Sequence, residues 1–156
     1  MKNISIYTDG ACSGNPGAGG WGCVLIYDAY YKELQGAQAH TTNQRMELMA
    51  AIIALEALKQ PCAVELFSDS AYLINAFNLN WLTKWQQNGW VNSKKQEVEN
   101  QDLWRRLLKA AKSHTVTWRK VKGHAGNEMN ERCDALARSA LAELRARCAA
   151  EREGEV

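Results

Sequence analysis

Residues 3–9 read Asn-Ile-Ser-Ile-Tyr-Thr-Asp, an alternation of polar and apolar side chains that is typical of a half-buried β-strand. The following Asp9-Gly10 pair is a turn signal and predicts that the strand ends there. Two further strands are predicted over residues 21–27 and 30–38, and the connection between them is short. The first forty residues therefore predict an antiparallel three-stranded meander.

The pattern changes to alternating helices and strands after residue 41. Thr42-Asn43 predicts the start of a helix that runs to about residue 58, and Pro61 ends it. The remaining predicted elements are a strand over 63–68, helices over about 70–77, 80–87 and 103–111, a strand over 116–119 and a long helix from 128 to about 149. A meander followed by βα units predicts an α/β protein with a mixed five-stranded sheet, three antiparallel strands and then two parallel ones, flanked by helices. We expect one domain over residues 1–149 and a flexible, charged C-terminal tail over 150–156.

Composition excludes several classes of protein. Hydrophobic residues make up 46% of the 156 residues and charged residues 23%, ordinary values for a domain that folds without a disulfide or metal staple. The five cysteines are odd in number and contain no Cys-x-x-Cys pair, which argues against disulfides and against a zinc ribbon. No apolar run approaches the roughly 18–20 residues that span a bilayer. We therefore expect a cytoplasmic protein without a membrane partner.

Charge is unevenly distributed along the chain. Residues 84–147 carry fourteen Lys or Arg against seven Asp or Glu, whereas residues 1–83 carry four against seven. This asymmetry indicates a basic surface on the C-terminal half that faces a polyanion. Solvated helix faces would explain the same charges, and the charges alone do not decide between the two.

Four carboxylates occupy positions where a strand end or a core-facing side chain is expected. Asp9 and Asp69 each end a predicted strand, while Glu47 and Asp134 share helical faces with small and apolar residues. Taken singly, each has an ordinary explanation as a turn residue or a helix cap. Together, four acids around one sheet edge would repel one another unless a cation lay among them. Oxygen ligands of this kind favour Mg²⁺ or Mn²⁺, and a pair of such ions can promote in-line phosphodiester hydrolysis.

His124 lies between two glycines in a predicted loop, Lys122-Gly123-His124-Ala125-Gly126. A single loop histidine is usually a surface residue. Beside a metal cluster, its ordinary pKa would make it a natural proton carrier.

The glycine-rich stretch 14–20 invites a nucleotide-binding interpretation, because Gly17-x-Gly19-x-x-Gly22 fits the dinucleotide fingerprint. That fingerprint requires a helix next, but a strand is predicted, so the interpretation is rejected. We expect these glycines to permit a tight turn or the close approach of the backbone to a ligand.

Aromatic and basic residues alternate between residues 81 and 104. Trp81 and Trp85 are four residues apart, so they share a helical face that could simply be core. The segment could also form a basic, aromatic projection that touches nucleic acid, and both can hold at once. The tryptophans are Trp81, Trp85, Trp90 and Trp104, and the lysines are Lys84, Lys94 and Lys95.

Five motifs in a fixed order resemble the bacterial type 1 ribonuclease H family over about residues 3–145. They are Tyr7-Thr8-Asp9-Gly10 with Gly14-Asn15-Pro16-Gly17; Thr41-Thr42-Asn43-Gln44-Arg45-Met46-Glu47-Leu48; Ser68-Asp69-Ser70; Asn100-Gln101-Asp102-Leu103-Trp104; and Val121-Lys122-Gly123-His124-Ala125-Gly126 followed by Asn130-Glu131-Arg132-Cys133-Asp134. The resemblance implies a ribonuclease H-like fold and a monomeric endonuclease that cuts the RNA strand of RNA–DNA hybrids, such as those in replication primers and R-loops.

The resemblance also implies roles for individual residues. Two Mg²⁺ ions, with Mn²⁺ as a substitute, would be held by Asp9, Glu47, Asp69 and Asp134, while His124 would assist proton transfer or product release. Cleavage would leave 5′-phosphate and 3′-hydroxyl ends. Substrate contacts are implied for further positions: minor-groove contacts for Cys12, Asn15, Asn43 and Gln44, a DNA-phosphate pocket for Thr42 and Asn100, and the DNA channel for Trp81.

Two departures from the family pattern bear on substrate affinity. Ala71 stands where the family often has Gln, and the projection at about 80–98 has Gln86 and Gln87 where basic residues are common. Fewer phosphate contacts predict weaker, though still salt-sensitive, binding. Two other functions share this fold, a hybrid-binding module without activity and a different nuclease or transposase. Retention of all four acids and His124 argues against the first, and cleavage of hybrid but not of duplex DNA would exclude the second.

Overall fold

The computed structural model describes residues 1–122 and 127–154. Within these ranges the chain forms five strands and five helices. The strands are β1 (Lys2–Ser13), β2 (Gly17–Tyr27), β3 (Tyr30–Thr41), β4 (Cys62–Ser68) and β5 (Thr115–Lys120), and the helices are α1 (Asn43–Glu56), α2 (Ala71–Asn78), α3 (Trp81–Asn88), α4 (Gln101–Ala111) and α5 (Glu128–Gly154). In both described ranges, every helix is too short or too polar to span a bilayer.

The five strands form one sheet in the order β3-β2-β1-β4-β5. Strand β2 pairs antiparallel with both β1 and β3, whereas β1–β4 and β4–β5 are parallel. The predicted α/β class and the mixed sheet of three antiparallel and two parallel strands are therefore confirmed. Since β1 lies at the centre of the sheet, it is hydrogen-bonded to a neighbouring strand along both of its edges.

The predicted end of the first strand is wrong. Strand β1 continues to Ser13, and Asp9 pairs with Gly22 of β2 inside the ladder. The turn lies instead at residues 14–16, and the glycines from Gly17 onward belong to β2 rather than to a loop. Asp9-Gly10 resembles a turn in sequence, but long-range pairing with β2 overrides that local preference.

Helix α5 is longer than predicted. It continues past residue 149 to Gly154, through an Ala-, Glu- and Arg-rich segment whose residues favour helix even when exposed. The secondary structure expected for residues 150–154 is thereby corrected. The division of the chain into a domain and a flexible tail stays a prediction.

Hydrophobic residues fill both faces of the sheet. On one face, α1 is buried along most of its length and packs on β1 and β2, so that its small residues lie directly against the sheet. On the other face, α5 packs on β1, β2 and β3 through a smaller cluster of Val24, Cys133 and Leu136. All five cysteines are free thiols, as the sequence predicted.

Candidate active site

Strand register places two of the acids side by side. The parallel pairing of β1 with β4 extends to Tyr7 opposite Phe67, whose rings stack with centroids 4.6 Å apart. Asp9 and Asp69 each lie two residues beyond this pair. Because side chains alternate along a strand, both acids are predicted to point to the face that Tyr7 and Phe67 share. The carboxyl ends of the two central strands therefore deliver two acids to one edge.

Two glycines allow helices to approach Asp9 from both faces of the sheet. A Cβ on Gly10 would lie 2.5 Å from the backbone nitrogen of Glu47, so only glycine lets α1 come this close to β1. A Cβ on Gly22, the strand partner of Asp9, would lie 2.6 Å from the carbonyl oxygen of Cys133, next to Asp134. Within the glycine-rich stretch 14–20, Gly14 has a φ of 80° in the turn at residues 14–16, which confirms the expected tight turn, and Gly20 allows the backbone of Ala137 on α5 to approach β2.

The side chain of Asp9 is buried in a negative environment. Only 6% of the residue is exposed. Burial, together with the charges of Asp69, Asp134 and Glu47, raises the pKa of Asp9 from 3.8 to about 8, even though the Gly10 N–H donates a hydrogen bond of 3.0 Å to Oδ1 that acts in the opposite direction. Asp9 therefore experiences the charge of all three other acids at once.

Glu47 is held by two hydrogen bonds. The Nδ2 of Asn43 donates to Oε1 over 2.9 Å, and the hydroxyl of Ser70 donates to Oε2 over 2.6 Å. Burial raises the pKa of Glu47 and the charge of Asp69 acts in the same direction, whereas both hydrogen bonds lower it. Ser70 also accepts the N–H of Leu73 as the N-cap of α2, so one hydroxyl links the start of that helix to Glu47.

Asp134 is paired with a cation on its own helix. The Nη2 of Arg138 lies 2.8 Å from Oδ2 of Asp134 at the i,i+4 spacing. Across residues 1–122 and 127–154, no three His, Cys, Asp or Glu side chains are arranged to hold a metal ion. Glu47 and Asp134 are satisfied instead by Asn43, Ser70 and Arg138. The donor set still fits a hard divalent cation, because all four side chains offer oxygen and repulsion at Asp9 is relieved by positive charge.

His124 lies outside the described residues, so its predicted role rests on the sequence alone.

The residues predicted to touch substrate form a polar surface around the start of α1. The side chain of Asn15 accepts the backbone N–H of Asn43 over 3.2 Å, and Thr42 caps the helix by accepting the N–H of Arg45. The amide of Asn100 lies 3.5 Å from Oε1 of Gln44. Five of the seven predicted contact residues are thus connected through α1.

Cys12 lies beside this surface, with its sulfur 3.6 Å from the carbonyl oxygen of Thr41. Trp81 lies apart from it, on α3, where it lines a groove with Lys84 and Asn92.

The four tryptophans divide between core and surface. Trp104 and Trp90 are core residues, 0% and 5% exposed. Trp81 and Trp85 are half-buried, with ring centroids 6.2 Å apart. The first pair is therefore unavailable to substrate, and the second pair is partly accessible at the surface.

Sequence reasoning missed several residues that hold the site together. Arg138 could have been found from its i,i+4 spacing to Asp134. Ser70 belongs to the Ser68-Asp69-Ser70 motif, but the motif does not indicate its hydrogen bond to Glu47. The bidentate pair of Arg45 with Asp102, at 2.9 and 2.8 Å, joins α1 to α4 across 57 positions and has no local signal.

Comparison with known proteins agrees with this geometry. The RNase H family model matches residues 1–142. The chain is 65% identical over 145 residues to a ribonuclease H of Moorella thermoacetica, covering 93% of this chain and 95% of that one. It is 66% identical over 142 residues to a ribonuclease H of Symbiobacterium thermophilum, covering 91% and 97%. Among solved structures, LC9-RNase H1, a type 1 RNase H with the type 2 active-site motif, superposes with a TM-score of 0.83 at 30% identity, covering 92% of this chain and 74% of that one.

The chain therefore belongs to the ribonuclease H family. Its activity is the one that defines the family, hydrolysis of the RNA strand of an RNA–DNA hybrid.

Proposed function

We propose that the chain carries out this hydrolysis with two divalent cations, Mg²⁺ or in its place Mn²⁺, held by Asp9, Glu47, Asp69 and Asp134. The observation that supports the proposal is the state of Asp9, a buried carboxyl whose pKa is raised to about 8 by burial and by the other three acids. An ionised carboxyl at this core position is costly unless a cation pairs with it. When bound, the cations supply an activated water and stabilise the departing 3′ oxygen, which leaves 5′-phosphate and 3′-hydroxyl ends.

The protein's own groups prepare the site for a cation. Ser70 and Asn43 fix both oxygens of Glu47, so this carboxylate presents a defined orientation. Asp9 is largely protonated near neutral pH, so a cation that binds there displaces a proton and binds more tightly as the pH rises. Arg138 neutralises Asp134 while no cation is present.

The polar surface around the start of α1 is proposed to bind the hybrid. Asn15, Asn43 and Gln44 present amide groups that can bond successive 2′-hydroxyls, the feature that distinguishes RNA from DNA. Cys12 lies along the same line. Thr42 and Asn100 would hold a phosphate of the DNA strand, and Trp81 would contact that strand farther along.

His124 is proposed to carry protons during turnover. His124→Ala should slow cleavage by about 10²–10⁴-fold while leaving measurable activity, the usual effect of removing one proton-transfer group. Complete loss of activity in a folded variant would contradict an auxiliary role.

The proposal is tested with a labelled RNA–DNA hybrid, duplex RNA and duplex DNA of one sequence. We expect cleavage of the RNA strand of the hybrid alone, dependent on Mg²⁺ or Mn²⁺ and abolished in Asp9→Asn. Asp28→Asn, a change in the exposed hairpin between β2 and β3, is the matched control and should leave activity intact. Binding without cleavage would indicate a hybrid-binding module, and cleavage of duplex DNA would indicate a different nuclease. We further propose that the protein acts as a monomer in the cytoplasm.

A further inference from the structure

We infer that Tyr72 is a positioning residue that orients the amide of Asn100 toward the DNA strand of the substrate. The inference rests on the proposed function, because it takes Asn100 as a phosphate contact. Tyr72 lies on α2, near the end of β4, and Asn100 immediately precedes α4. The hydroxyl of Tyr72 thus connects the helix that follows Asp69 to a substrate-binding position 28 residues away.

The hydroxyl oxygen of Tyr72 accepts two hydrogen bonds. The Nδ2 of Asn100 donates over 3.1 Å, and the indole Nε1 of Trp104 donates over 3.0 Å. Trp104 is fully buried, and its ring meets the Tyr72 ring edge-on with centroids 5.1 Å apart. The phenol oxygen is therefore fixed from the core side, and Asn100 is bonded to a rigid acceptor.

The amide of Asn100 can adopt only one orientation in this setting. Its Oδ1 accepts from Nη1 of Arg45 over 3.3 Å, and a guanidinium has donors only, so the oxygen must face Arg45. The nitrogen must then face Tyr72. Arg45 is itself fixed by its bidentate pair with Asp102.

One N–H of Asn100 is only weakly engaged within the protein. One of the two Nδ2 hydrogens is directed to Tyr72, and the other lies toward Oε1 of Gln44 at 3.5 Å, the limit of a hydrogen bond. This weakly engaged N–H, beside the start of α1, is the donor that a phosphate oxygen would accept. The side chain of Asn100 caps no N–H of α4, so the helix that follows does not use this amide.

Tyr72→Phe removes the hydroxyl and keeps the ring against Trp104, so it isolates the proposed contact. We expect the affinity for a hybrid, measured by fluorescence anisotropy with Ca²⁺ in place of Mg²⁺, to fall about fivefold, the usual effect of losing one hydrogen bond. KM in Mg²⁺ should rise by the same factor with kcat unchanged, because the contact is made equally in the ground state and the transition state.

A double-mutant cycle separates positioning from a structural role. Loss of the hydroxyl also leaves the Trp104 N–H without its acceptor, so a lower melting temperature is expected in either case and decides nothing. If Tyr72 acts through Asn100, then Tyr72→Phe adds no further loss of affinity in an Asn100→Ala background. Equal losses in both backgrounds, a fall in kcat with KM unchanged, or unchanged binding by Asn100→Ala alone would each overturn the inference. Failure of the wild-type protein to cleave hybrid would instead refute the proposed function.

Discussion

Replacing Asp9 by asparagine is expected to stabilise the metal-free protein. The folded-state pKa of Asp9 is about 8, against 3.8 for an unperturbed aspartate. When folding raises the pKa of a carboxyl, the protein is most stable at pH values below the pKa of the unfolded state. The free energy of unfolding then falls as the pH rises toward the pKa of the folded state. At pH 7 the unfolded carboxyl is ionised while the folded one is mostly protonated. The interval from the unfolded-state pKa of 3.8 to pH 7 is about three pH units, which lowers the free energy of unfolding by about 4 kcal/mol.

Asparagine has no charge to lose, so the variant escapes this penalty. We expect Asp9→Asn and wild type to be equally stable near pH 3.8, and the variant to gain stability steadily up to about pH 8, beyond which the difference is constant. Urea denaturation followed by circular dichroism in EDTA, at four pH values from 4 to 9, measures the difference. Asp28→Asn is the matched control and should show no comparable pH-dependent gain. A difference between Asp9→Asn and wild type that does not grow with pH would refute the electrostatic argument.

Three further predictions concern cation binding, substrate binding and helix packing. Arg138→Gln should tighten Mn²⁺ binding, measured by calorimetry, by up to about fivefold. The reason is that an ion pair worth roughly 0.2–1 kcal/mol no longer competes with the cation for Asp134. Unchanged affinity would show that the arginine does not compete. The double variant Gln86→Lys/Gln87→Lys should steepen the salt dependence of hybrid binding by up to about 2 in log–log slope, and equal slopes would contradict a role for the projection in phosphate contact. Gly22→Ala should lower the free energy of unfolding, measured by thermal denaturation, by about 1–3 kcal/mol and reduce cleavage, because the added methyl group meets the backbone of α5. Unchanged stability and activity would mean that α5 can shift without consequence.

The sequence predicted the elements of the fold better than their limits. Alternation and turn signals located all five strands, and the order of elements predicted which strands are antiparallel and which are parallel. They failed at Asp9-Gly10, where a local turn preference was outweighed by pairing with β2, a contact between residues far apart in the chain. They also ended α5 too early, since exposed helix carries no apolar stripe to mark its length.

The four acids of the site were predictable from the sequence, but the residues that hydrogen-bond to them were not. Asp9, Glu47, Asp69 and Asp134 stood out because a carboxylate at a core-facing position is unusual. The hydroxyl of Ser70 on Glu47 depends on how β4 and α1 meet in three dimensions, which no local pattern shows.

The same limit applies to the glycines. The stretch 14–20 suggested a tight turn or a backbone close to a ligand. The turn is present at residues 14–16, but the role of Gly10 and Gly22 in bringing helices against the sheet had no local signal.

The contacts at Gly10 and Gly22 have a consequence for how the protein can change. Since backbone meets backbone on both sides of Asp9, the separation between the acids is set by main-chain contact rather than by the volume of interlocking side chains. The hydrophobic interior can therefore be re-packed, with gains or losses in thermal resistance, while the spacing of the acids stays as it is. Thermal resistance gained in the hydrophobic interior is in this sense separate from cation affinity, whereas a change at Asp9 or Gly22 alters both.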